Sequence, residues 1–150
     1  MTGWIRKWRR EFVDKALNYL GWARKAGLIE LGEEPVGAAA RAQHARLVVV
    51  ASDASDHTWR RAQSFVAGTD QQCIRVSYTK DEVGMAIGRT SLAIAAITDP
   101  ALALNLVQAL PQAEKFASVA AVLDEKAQKM RKRQQEAKAH ARNKKTGKKK

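Results

Sequence analysis

The chain has 150 residues and carries 27 Lys and Arg against 15 Asp and Glu, a formal charge of +12; this length suits one domain with room for a real core. Its single cysteine, Cys73, excludes an internal disulfide and a cysteine-cluster metal site, and its longest apolar run, Leu92–Ile97, is far too short to cross a bilayer. These features are expected of a soluble protein in a reducing cytoplasm, without a membrane partner.

The first eleven residues form a basic extension, with Arg6, Lys7, Arg9 and Arg10 against one acid. Phe12–Leu20 is interrupted by Asp14, Lys15 and Asn18 and does not read as a signal peptide. Trp8, Phe12, Ala16, Leu20 and Ala23, widened by Val13 and Leu17, recur every three or four residues as the stripe of an amphipathic helix that ends at Gly27. Leu28–Leu31 is a short strand candidate. Gly32-Glu33-Glu34-Pro35 then turns into a helix: Pro35 suits its first position, two carboxylates oppose the positive helix end, and the alanine-rich segment Val36–Ala42 continues it. Arg46–Ala51 is a β-branched apolar run typical of a strand buried on both faces. Asp53 and Ser55 are capping candidates for a helix through Trp59, Ala62, Phe65 and Val66. After the polar loop Gly68–Gln72, Cys73–Tyr78 reads as the next strand. Thr79-Lys80-Asp81-Glu82 matches a capping box and starts a short helix ending at Gly88. Leu92–Ile97 is another buried strand, and Asp99-Pro100 opens a helix from Ala101 to Leu110. Strands alternating with helices at these intervals predict an α/β domain, a layered αβα arrangement over residues 12–111.

From Phe12 to Pro111 ten bases balance ten acids, whereas Gln112–Lys150 holds thirteen bases and four acids. Phe116, Val119, Ala120, Leu123, Ala127 and Met130 mark an amphipathic helix over 112–133. Residues 134–150 read as a basic tail, with Gln134–Arg142 helical by propensity and Asn143–Lys150 disordered. A neutral body with two cationic ends attracts polyanions by counterion release, an attraction that weakens steeply with salt.

Ala23-Arg24-Lys25-Ala26-Gly27, Gly32-Glu33-Glu34, Arg46 through Ser55, Thr79 through Arg89, and Ala95 through Asp99 stand in an order and spacing that resemble the ribosomal protein family L-seven-Ae, in its bacterial YlxQ-like branch, over roughly Phe12 to Leu110. The resemblance implies a three-layer αβα sandwich with a central mixed four-stranded sheet. It further implies binding of kink-turns, RNA helices sharply bent at a bulge beside G·A pairs, with ribosomal or structured regulatory RNA, and the ribosome itself, as partners. Family members place the start of the second helix in the groove beside those pairs and a loop before the last strand on the bulged nucleotides. On this chain those elements fall at Gly32-Glu33-Glu34 and at Gly88-Arg89-Thr90-Ser91.

The residue types suit such roles. Gly32 admits close approach of a ribose–phosphate strand, and backbone N–H groups at a helix start favour phosphate. A carboxylate such as Glu34 accepts hydrogen bonds from base amino or imino groups, and Arg89 pairs with phosphate or stacks on an exposed base. The pattern departs at one place. Archaeal members have Asn-Glu at the helix start and a Lys one turn on, whereas here Glu34 stands at the Asn position, Pro35 follows, and Ala38 occupies the Lys position. Arg41, one turn beyond Ala38, compensates only if it faces the same way.

Blander readings apply to other residues. Gly84 and Gly88 serve packing and a helix C-cap, Trp8 and Trp59 belong to the core, Trp4 lies at a frayed end, and Cys73 fills apolar space. His44, His57 and His140 are too scattered for a metal cluster. Asp53 and Asp99 follow apolar strands, as catalytic acids do in α/β enzymes, but no nucleophile, base or glycine-rich phosphate loop accompanies them. Capping explains both, and neither catalysis nor a cofactor is expected. Two functions follow: a monomeric protein recognising kink-turn-like RNA, or a non-specific polyanion binder or ribosome-associated adaptor driven by the basic tail.

Overall fold

A computed structural model describes residues 15–145; the basic extension 1–11, Trp4, Trp8, Phe12, Val13 and residues 146–150 lie outside the described residues. Helix α1 occupies residues 15–26 and buries Ala16, Leu20 and Ala23. Gly27 closes it at φ 71°: the Gly27 N–H donates to the Arg24 carbonyl and the Leu28 N–H to that of Ala23 (3.1 and 2.8 Å), both satisfying last-turn carbonyls. There follow β1 (Ile29–Leu31), α2 (Glu33–Arg41), β2 (Leu47–Val50), α3 (Asp56–Val66), β3 (Gln72–Arg75), α4 (Lys80–Ala86), β4 (Ile94–Ile97) and α5 (Pro100–Ala109), then a 3-10 turn at Ala113–Phe116 and the long α6 (Ala117–Lys145). Among the described residues no helix is long and apolar enough to cross a membrane.

The four strands form one mixed sheet in the order β1-β4-β2-β3; β4 is antiparallel to both neighbours and β2 is parallel to β3. Alternation along the strands divides the core in two. Leu47, Val49, Ile74, Ala95 and Ile97 meet α1, α4, α5 and Leu123 of α6. Val48, Val50, Ile94 and Ala96 meet α2 and α3 on the opposite face. Each fully buried Val, Leu or Ile contributes about 1.5–3 kcal/mol, which is why the two central strands hold no polar side chain. This is the expected three-layer αβα sandwich.

Several boundaries differ from the sequence reading, each for a physical reason. Pro35 is the third residue of α2, not the first, because Glu33 opens the helix after Gly32; the missing N–H is harmless anywhere in the first turn, where N–H groups have no intrahelical acceptor. Strand β3 ends at Arg75, although Val76 still donates to the Val50 carbonyl at 2.9 Å and Tyr78 accepts from the Ser52 N–H at 2.8 Å. Ser55 caps α3, accepting from the Thr58 N–H at 3.1 Å, while Asp53 accepts from the Lys80 N–H at 2.8 Å and ties the β2–α3 loop to α4. The Thr79–Glu82 capping box forms both its bonds, and Asp99 caps α5 through the Leu102 N–H. Trp59 is only half-buried, with the Arg75 guanidinium 5.1 Å from its ring centre. Cys73 packs beside the second core, and burial pushes its thiol up to about 12.

The largest difference is α6. A single helix runs to Lys145, so the helicity that propensity predicts over 134–142 forms, and Asn143–Lys145, expected to be disordered, continue it. The segment 113–145 contains neither Gly nor Pro, and docking of Leu123 and Ala127 nucleates a helix that Ala, Lys, Arg and Gln then propagate at little cost.

Gly84 carries a close packing contact. A Cβ there would stand 2.5 Å from Cα of Ser91 and 2.7 Å from its nitrogen. Gly84→Ala is expected to destabilise the domain by about 1–3 kcal/mol through overpacking, lowering Tm by about 2–4 °C per kcal/mol in a thermal melt. A second test concerns the ion pair of Lys126 with Asp70. The Lys126 ammonium holds the Asp70 carboxyl below its usual value of 3.8, so its contribution is present above that pH and is lost as pH falls through the lowered value. Asp70→Asn is expected to flatten the acid limb of the stability–pH curve and leave stability at pH 7 and above slightly lower.

Candidate nucleic-acid interface

The two sequence-predicted elements lie toward the same end of the sheet. Gly32 follows β1 directly, and its N–H donates to the Ile94 carbonyl at 3.1 Å, carrying the β1–β4 ladder one step past the Leu31–Ala95 pair. Ile94 stands three residues after Ser91, so the start of α2 and the exit of the Gly88–Ser91 loop share an edge. Gly32 adopts φ 97° and ψ 163°, a backbone reserved for glycine. No side chain caps α2; the N–H groups of Glu33 and Glu34 open the helix without intrahelical acceptors, and Pro35 offers none.

The four residues of the second element are exposed. Gly88 at φ 81° reverses the chain after α4, and the Arg89 N–H returns to the Gly84 carbonyl at 2.8 Å. At the far end the Leu92 N–H donates to the Lys80 carbonyl at 3.0 Å. With Ser91 seated on Gly84, the loop is anchored on both sides and presents Arg89, Thr90 and their polar groups from a fixed backbone.

The two glutamates differ in environment. Glu33 is half-buried and faces α3, accepting from the Thr58 hydroxyl at 3.2 Å and lying 3.6 Å from Arg61 Nε. Glu34 is exposed and points away from these contacts into solvent. Of the pair, Glu34 is the carboxylate available to a ligand. Arg41 is exposed, yet its guanidinium lies beside Gly37, which also abuts the Phe65 ring. On the other flank Ala38 opens a groove of about 520 Å³ with Glu30, Pro35, Ala39, His44 and Thr98, and Arg41 does not line it. Arg41 therefore does not fill the space vacated by the Lys of the family pattern in this conformation.

A curated relative decides the family. An RNA-binding protein YlxQ from Enterococcus faecium is 32% identical over 76 residues, covering 51% of this chain and 73% of the relative. The chain belongs to the YlxQ family. No protein-family model matches it. Solved structures bear on the fold of this YlxQ-family chain. A Bacillus halodurans protein described as having unknown function superposes with a TM-score of 0.57 at 24% identity, covering 73% of this chain and 97% of the other. A Giardia lamblia 15.5kD RNA binding protein gives a TM-score of 0.52 at 18% identity, covering 73% and 90%. At these identities the likeness establishes the αβα architecture.

The sequence reading of the YlxQ-family chain missed two arrangements. One is the Glu33–Thr58–Arg61 link, which joins residues about 25 positions apart and leaves no local signal. The other is a groove of about 810 Å³ between α1 and α4, flanked by exposed Trp22 and Met85 and by Arg24 and Lys25, where the Arg24 guanidinium donates to the Ile87 carbonyl. Trp22 lies off the buried stripe of α1, and that position was its only signal. Among the described residues no group of three His, Cys, Asp or Glu side chains is placed to hold a metal. The Glu33 contacts predict a separation of roles. Glu33→Gln is expected to reduce stability by about 1 kcal/mol or less, since the ion pair is half exposed and one neutral hydrogen bond is worth about 0.5–1.5 kcal/mol. Chemical denaturation of this variant beside Glu34→Ala, which is expected to leave the midpoint unchanged, checks it.

Proposed function

We propose that this YlxQ-family protein is a cytoplasmic, monomeric, non-catalytic RNA-binding protein that recognises structured RNA of the kink-turn kind, ribosomal or regulatory, through Gly32–Glu34 and Gly88–Ser91. The observation that carries the reading is the Gly32–Ile94 hydrogen bond, which sets a glycine-opened helix start and an exposed, anchored arginine loop on one edge of a rigid sheet. The name of the Enterococcus relative supports the substrate class. In this role the N–H groups of Glu33 and Glu34 face phosphate, the Glu34 carboxylate accepts from base edges, and Arg89 meets a phosphate or stacks on an unpaired base. The folded body is electrically balanced, so its selectivity comes from shape and these contacts, whereas the cationic C-terminal region supplies salt-dependent affinity.

The rival reading, a non-specific polyanion binder or ribosome-associated adaptor, draws on the thirteen bases after residue 111. A gel shift at fixed salt, comparing a kink-turn with the same duplex lacking its bulge, separates the two. Kink-turn preference of tenfold or more is expected, with Arg89→Ala and Glu34→Ala each costing about 1–3 kcal/mol of it. Equal, fully salt-sensitive binding to both RNAs, unaffected by either substitution and abolished by removing Gln134–Lys150, would establish the rival.

A further inference from the structure

Helix α6 runs beside α5, starting near Arg75–Ser77 and Leu110 and passing Asp70, with which Lys126 pairs. Asp70 lies in the α3–β3 turn, just before Gln72, whose N–H donates to the Arg46 carbonyl; this is the end of the sheet where β2 and β3 begin. Gly32 and the exit of the Gly88–Ser91 loop lie at the other end, where β2 finishes opposite Ile94. The last buried residue of α6 is Ala127, and every residue from Gln128 to Lys144 is exposed. At about 1.5 Å per residue, these seventeen residues form an arm about 26 Å long. It leaves the domain from the end opposite the proposed kink-turn site. Without Gly or Pro from 113 to 145, no bend returns it.

The arm is a cation. From Gln128 to Lys144 there are seven Lys and Arg (Lys129, Arg131, Lys132, Arg133, Lys138, Arg142 and Lys144) against Glu136 alone. They are distributed around the helix: Arg131, Lys138 and Arg142 share one face and Lys132, Arg133 and Lys144 occupy others. A polar helix with no apolar stripe has nothing to bury, and over this stretch its Lys and Arg residues outnumber its acids seven to one. A phosphodiester backbone supplies counter-charge along a whole strand, and a helix charged on all sides accepts it from any direction.

We propose that residues 128–144 form a second RNA-binding element that engages a segment distinct from the one at the Gly32/Gly88 end, so that one protein molecule bridges two RNA segments. This rests on the reading of the chain as RNA-binding, though not on kink-turn selectivity. The arm takes phosphate backbone without reading bases, and the domain takes shape.

The full-length protein is bound in equimolar amount to an immobilised kink-turn hairpin in about 100 mM salt, and a fluorescent, fully paired RNA duplex is added. Wild type is expected to capture the duplex in a ternary complex. A variant with Arg131, Lys132, Arg133, Lys138 and Lys144 changed to Gln, which preserves helix propensity and whose helicity circular dichroism confirms, is expected to hold the hairpin within threefold and to lose duplex capture at least tenfold. Undiminished capture by that variant, a hairpin footprint that contracts on its arm side, or displacement of the hairpin by the duplex with no ternary complex would overturn the bridge. Capture of phosphatidylglycerol vesicles in preference to duplex would overturn RNA as the arm's ligand. The Glu34→Ala, Arg89→Ala double variant keeps the two readings separate. Loss of hairpin preference with duplex binding retained supports both, whereas unchanged hairpin preference refutes the kink-turn site and leaves the arm to be judged by duplex capture alone.

Discussion

Two strands of four residues, Leu47–Val50 and Ile94–Ile97, are buried on both faces and pair antiparallel at the centre of the sheet. Neither can meet water on either side, so helices must cover both faces, and the chain provides α2 and α3 for one and α1, α4 and α5 for the other. The two central strands then meet solvent only near their termini, while β1 and β3 are partly exposed at the edges. The loops at one such end hold the candidate interface, positioned by backbone bonds to β4 and α4 rather than by their own side chains. Rigidity at the centre and chemical freedom at the rim follow from the same requirement.

That division explains the contrast between neighbouring residues. Glu33 faces inward enough to be claimed by Thr58 and Arg61, whereas Glu34, one residue on and about 100° around the helix, faces outward. Ala38 leaves a groove where the family pattern has a lysine, and the Arg41 guanidinium lies beside Gly37 and does not line it. The domain thus brings few charges of its own to a polyanion, and its contacts rely on geometry. The charge is concentrated in a helix that the domain holds at arm's length.

Period and punctuation made most of the fold legible. The β-branched runs, the Thr79–Glu82 box, the Asp99 cap and Gly27 each act within a few residues, where propensity and geometry coincide. What the sequence did not disclose is long-range or permissive. Asp53 reads equally as a cap for α3 and as an acceptor for Lys80, 27 residues away, and only the parallel placement of β2 and β3 chooses. Pro35 is tolerated anywhere in a first turn, so it could not fix the register of α2. The end of α6 carries no stop signal, so propensity predicts the helix over 134–142 but not its continuation through Asn143–Lys145. At the candidate site, the helix start at Gly32–Glu34 and the loop at Gly88–Ser91 are legible as local structure, while the different environments of the two glutamates and the orientation of Arg41 depend on α3, far away in sequence.

The pairing of β1 with β4 joins Ile29 to Ile97 across most of the domain. During synthesis, the first strand therefore waits while β2, β3 and three helices are made before its partner leaves the ribosome. Until then Gly32 has no Ile94 carbonyl to bond, and the rim where helix start and arginine loop adjoin does not exist. That rim is absent from the nascent chain through its first ninety or so residues, and forms when β4 inserts between two strands already made. The ordering of strands thus postpones the Gly32–Ile94 junction until the domain is nearly whole.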